Sequence, residues 1–148
     1  MFPMKETLLI LKKTIEEGQL LSEQILSAYN WDDLLDIRDS DEDFEKQWLR
    51  ANAEVKKLLA ELNLGNEVQQ IVEDIRRESF LAASKLTSQH EIASYISDDL
   101  GLIAEAVIAG YDDAWLNGLW LAYKRHCLPI PPVGKHSGKL SELIDSEI

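Results

Sequence analysis

The chain has one cysteine, Cys127, so no internal disulfide can form, and a reducing compartment is expected. Proline is scarce: four residues, three of them at 129, 131 and 132. Glycine is scarce too, at seven residues, and no Asn-Gly or Asp-Gly pair lies between alternating apolar strands, which argues against a hairpin-built fold. No stretch reaches the roughly 20 apolar residues of a membrane span. The start, Met1 to Glu6, lacks a basic region leading into an apolar core, and Glu16 and Glu17 come too early for a secretory leader. A cytoplasmic location is expected. Basic residues are outnumbered, 15 against 27 acidic, for a net charge of −12 and a pI near 4.6. That charge speaks against binding to nucleic acid or to an anionic membrane, and it permits a basic protein partner.

What the chain does have is helix. Its 148 residues and 45% hydrophobic content suit one domain with one core. Apolar residues recur at three- and four-residue steps in segment after segment. The expectation is an all-α, single-domain bundle of about six helices, mostly antiparallel neighbours, over residues 1–128. Residues 129–148 read as a Pro-containing extended tail with a short terminal helix around Leu140, Leu143 and Ile144.

Helix one is expected from Met4 to Glu17, with Leu9 and Ile10 widening its apolar arc toward contact on two sides. A second is expected from Leu20 to Tyr29, then a short one at Trp31, Leu34 and Leu35, with Arg38 to Ser40 as a loop. The third long helix, capped by Ser40, carries Phe44, Trp48, Ala51, Val55, Leu58 and Leu62 as a packing seam and ends at a left-handed Gly65. Asn66 with Gln69, and Ser88 with Glu91, read as capping boxes opening the next two helices. Gly110 ends the second of these, and Asp112 or Asp113 caps the last helix, which carries Trp115, Leu119, Ala122 and Tyr123.

The most distinctive local feature is acidic. Asp32, Asp33, Asp36, Asp39, Asp41, Glu42, Asp43 and Glu45 stand against one base, Arg38, a net of −7 between Trp31 and Glu45. Charges of one sign steer a complementary partner and raise its association rate. Trp31 and Trp48 flank the segment as candidate aromatic anchors. These ten residues are the candidate partner-binding set. The same acids also suit a solvated loop and a helix start, where carboxylates complement the positive helix end.

Other chemistry fits the pattern poorly. Asp39, Asp41 and Asp43 alternate as in a calcium loop, but Phe44 and Arg50 stand where that loop needs glycine and glutamate. The three histidines and Cys127 have no zinc-ligand spacing, and no phosphate loop or nucleophile elbow is present. No metal, cofactor or catalytic residue is assigned. One enzyme alternative stays open, a metal-dependent all-helical hydrolase using Glu42, Glu45, Glu73 and Asp74. A structural homodimer joined by leftover apolar faces of the first and last helices is another.

Between Tyr95 and Trp120 acids and aromatics crowd together, including the pairs Asp98-Asp99 and Asp112-Asp113. Asp99 edges toward an apolar helix face, where it would need a cation such as Arg76, Arg77 or Arg125. An architectural role is expected for these pairs, with a functional pocket as the alternative.

Small, acidic, helical and poor in cysteine, the chain resembles bacterial immunity or antitoxin-like proteins in type. The resemblance is compositional and transfers no residue. It implies action by protein–protein binding, in which an acidic surface neutralises a basic partner.

Overall fold

A computed structural model describes residues 4–22, 30–125 and 127–146. Among the described residues there are seven helices and no strand: α1 (Met4–Glu16), α2 (Trp31–Ser40), α3 (Glu42–Ala60), α4 (Asn66–Thr87), α5 (His90–Ala109), α6 (Ala114–Lys124) and α7 (Leu140–Asp145). The expected helix over Leu20 to Tyr29 falls largely outside the described residues, although Leu20 and Leu21 are buried. His126 lies outside them as well.

The architecture is a helical bundle built around α5. Ile92, Ile96, Leu100 and Ile103 bury one face of this helix along its length, and from Asp99 to Ile108 every residue is buried. The C-terminal half of the helix, largely apolar on every side, therefore lies inside the fold. Helices α4, α3, α1, α6 and α7 pack against it, α4 along the greatest length. No helix among the described residues is long and apolar enough to cross a membrane.

Local chemistry explains most helix ends and corrects several expectations. α2 runs through Ser40, so Arg38 to Ser40 is helix and not loop. Only Asp41 separates α2 from α3, and it replaces Ser40 as the cap, its carboxylate accepting from Phe44 N at 2.8 Å. Ser40 instead donates back to Asp36 O at 2.6 Å, closing α2. Gly65 is extended rather than left-handed, at φ −71, and precedes α4 without a side-chain cap, so the Asn66–Gln69 box does not form. At the next junction Ser88 takes the left-handed position, φ 55, and Gln89 is the true cap of α5. Gly110 at φ 66 ends α5 and Asp113 caps α6, both as expected. Leu9 and Ile10 are 43% and 36% exposed, so α1 is buried along one stripe only.

The C-terminal segment runs back along α6. Asn117 Nδ2 donates to His136 O at 3.0 Å and to Gly138 O at 2.9 Å. A Cβ at Gly118 would stand 1.6 Å from Gly134 O, so only glycine admits the strap at this distance. Asp112 accepts from Leu140 N at 3.0 Å and so starts α7, which inserts Leu140 and Ile144 into the core beside α1.

Candidate functional site

Helices α2 and α3 form an elbow at Asp41, and the acidic segment occupies both arms. Asp32, Asp33, Asp36, Asp39, Glu42, Asp43 and Glu45 are exposed. Asp41 is half-buried and occupied in capping. Leu34, Leu35 and Phe44 face the core, which fixes the carboxylates outward by helical periodicity.

Arg38, the one base of the segment, turns inward. It is 9% exposed and donates from both terminal nitrogens to Asp99, at 2.9 and 3.0 Å. Asp99, 0% exposed, also accepts from Trp48 Nε1 at 3.0 Å and from the Tyr123 hydroxyl at 2.6 Å. One carboxylate on α5 therefore gathers donors from α2, α3 and α6. The Arg38 guanidinium lies 4.5 Å from the Phe44 ring centre and 5.0 Å from that of Tyr95. Ring faces of this kind attract a cation at such distances. Burial works to lower the Arg38 pKa, but the charge and hydrogen bonds of Asp99 outweigh it and hold the group above its ordinary value. Burial, reinforced by the Asp99 charge, pushes the Tyr123 hydroxyl well above its ordinary range.

Beside this cluster lies an open cleft of about 400 Å³. Phe44, Trp48, Leu49 and Tyr95 supply its apolar walls, and Asp39, Glu45 and Asp98 supply carboxylates above the buried Arg38–Asp99 pair. Tyr95 donates to Asp39, and that bond, with partial burial, pushes the phenol up to about 12. Partial burial raises Asp98 against the pull of Arg76, 3.7 Å away, and the Asp99 charge adds to the rise.

A second cleft, about 340 Å³, opens between α3, α4 and α5. Its Glu105 pairs with Lys56 at 2.6 Å and with Arg76, so its cations are already matched by acids. The guanidinium of Arg76 lies where a Cβ at position 101 would go, Cζ at 2.3 Å, so a side chain there would displace Arg76 from this position.

The candidate set is thus only partly brought together. Trp31 and Trp48 are half-buried against the core, and the Trp48 N–H points to Asp99. Asp39 and Glu45 share the cleft, whereas Asp32, Asp33, Asp36, Glu42 and Asp43 stand on the outer elbow. The four carboxylates of the hydrolase alternative do not converge. Asp74 is held by Lys12 at 3.3 Å and Arg77 at 2.9 Å, and Glu73 lies at the second cleft, away from Glu45. Among the described residues no three His, Cys, Asp or Glu side chains form a group able to hold a metal ion. Asp99 does have a cationic partner, but it is Arg38 and not Arg76, Arg77 or Arg125. Asp113 caps α6 and pairs with Arg50 at 3.0 Å, an architectural role like that of Asp112.

Sequence reasoning missed Arg38, Phe44, Leu49, Tyr95 and Asp98 as parts of one site. The available signal was an aspartate within an apolar helix and a lone base within an acidic run. The two stand 61 residues apart, with nothing local to pair them.

A family model described as immunity protein PIM1 matches residues 10–130. The match takes in most of α1, all of α2 to α6 and every residue of the elbow and the cleft. No curated protein matches the chain.

Proposed function

We propose, for a chain that belongs to the immunity protein PIM1 family, that it acts by binding a toxin protein of basic charge through the α2–α3 elbow. The observation that carries this reading is the charge of the elbow. Seven carboxylates between Asp32 and Glu45 are exposed, and the single base of the same segment is buried against Asp99. The outer face of the segment therefore carries negative charge with no exposed cation of its own, Lys46 standing just beyond its end. Such a face raises the encounter rate with a positive surface and discriminates against acidic proteins. A nuclease-type toxin, whose own ligand is a polyanion, fits the chemistry best: an array of carboxylates stands in for phosphate charge and masks its basic surface.

Trp31 and Trp48, half-buried at the two ends of the segment, offer apolar contact beside the charge. Aromatic anchors within a charged rim are a common arrangement in tight interfaces.

The test is capture of partners from native lysate on the immobilised chain, at low and at high salt. Recovery of one basic protein that is lost at high salt is the expected result. An interaction indifferent to salt, or capture of no partner, would overturn the proposal.

A further inference from the structure

We infer that the cleft between α2, α3 and α5 receives one arginine side chain of the partner, an inference that rests on the elbow being the binding surface. The elbow and the cleft are physically different. The elbow is open charge, which steers a partner but holds it weakly. The cleft is a concavity of about 400 Å³ with apolar walls, within the ordinary size range of ligand pockets.

Its occupant follows from charge and shape. Both terminal nitrogens of Arg38 are spent on the oxygens of Asp99, and Asp99 is saturated by Arg38, Trp48 and Tyr123. The carboxylates that remain to face an incoming group are Glu45, Asp98 and Asp39, the last already accepting from Tyr95, while the one cation in the lining, Arg38, is matched by Asp99. The Glu45 carboxylate has no hydrogen bond or ion pair among the described residues, and Asp98 is 58% exposed with only a 3.7 Å contact to Arg76.

The walls favour arginine over lysine. A guanidinium is planar and weakly hydrated, lies against aromatic rings, and offers forked donors to carboxylates on more than one side. An ammonium is compact and strongly hydrated, so it loses more on entering an apolar concavity. Arg38 shows the same preference from within, stacked on Phe44 and Tyr95 while forked onto Asp99.

The experiment uses the full chain, labelled with nitrogen-15, and N-acetyl-arginine amide as probe. The reporter is the Trp48 indole N–H resonance, assigned by its loss in Trp48→Phe. N-acetyl-lysine amide and the neutral N-acetyl-citrulline amide serve as comparators. A saturable shift with the arginine probe is expected, at least about tenfold tighter than with citrulline. The double substitution Glu45→Gln with Asp98→Asn changes exposed side chains and is expected to weaken it by about tenfold while the spectrum stays folded. Equal binding of citrulline or lysine, no saturable shift, or undiminished binding in the folded double variant would overturn the inference. The probe contains no toxin, so the two proposals fail separately. Salt-sensitive partner capture without arginine binding removes the cleft and leaves the elbow; arginine binding without any captured partner removes the elbow.

Discussion

Arg38 and Asp99 form a two-pronged ion pair, 2.9 and 3.0 Å, across 61 residues of sequence. The pair ties the acidic elbow to the central helix, and it removes the only cation from the acidic segment. One interaction thereby both helps to hold the elbow in place, beside the buried Leu34, Leu35 and Phe44, and takes the segment's own cation out of its surface.

Asp99→Ala removes the shared acceptor of Arg38, Trp48 and Tyr123. Breaking a buried ion pair from one side costs about 3–5 kcal/mol. Urea unfolding of the variant should show a loss of that order; a loss below about 1 kcal/mol would contradict the central role given to Asp99. Arg38→Met combined with Asp99→Leu removes both charges and should recover part of the stability. Recovery stays incomplete because Trp48 Nε1 and the Tyr123 hydroxyl still lack their acceptor.

Neutralising the outer elbow should separate binding from stability. Asp33→Asn, Asp36→Asn and Asp43→Asn alter exposed carboxylates, two of them in first helical turns. First-turn acids contribute about 0.3–1 kcal/mol each, so the triple variant remains folded. Stopped-flow association with the captured partner should slow about tenfold at low salt, and the difference should shrink as salt screens the charges. An unchanged rate at low salt would place the interface elsewhere.

Tyr95 predicts an alkaline transition. Its phenol is raised from 10.0 to about 12, mainly by the hydrogen bond to Asp39. A raised pKa means that the folded state holds the proton more tightly than the unfolded state does. The stability gap between the wild-type chain and Tyr95→Phe should therefore be constant below about pH 10 and close as pH rises through about 12. Tyrosinate absorbance gives a direct check: Tyr95→Phe should delete a step near the upper value, and loss of a step at ordinary tyrosine pH would refute the assignment.

Gly118→Ala should loosen the C-terminal strap. The added Cβ would collide with Gly134 O, a backbone atom that cannot swing aside as a side chain can. Forcing extra volume into a packed contact costs about 1–3 kcal/mol. Limited proteolysis should then cut between residues 129 and 139 faster than in the wild-type chain. The elbow lies on other helices, so partner capture should be unaffected. Cleavage at the wild-type rate would show that the contact is not needed to hold the strap.

Much of the fold was legible because its signals are local. Leu8, Leu11 and Ile15, or Ile92, Ile96, Leu100 and Ile103, announce a buried helix face by spacing alone, and all are buried. Gly110 and Asp113 ended and began helices as their chemistry demands. Misplaced boundaries came where neighbouring residues offer equivalent caps. Ser40 and Asp41 can each accept from a first-turn N–H, as can Ser88 and Gln89, and packing of the flanking helices selects the second of each pair.

The sequence by itself determined an all-helical chain with its negative charge concentrated between Trp31 and Glu45, since periodicity and charge are properties of neighbouring residues. Only the tertiary structure decided which charges face outward and which are consumed inside. Asp99 needed a cation, and several arginines were available; folding supplied Arg38, 61 residues away, by laying α2 and α3 against α5. Such pairing depends on distances between helices, which no local pattern encodes. It converted a run of acids with one base into a face whose exposed charges between Asp32 and Glu45 are all acidic, beside an aromatic cleft.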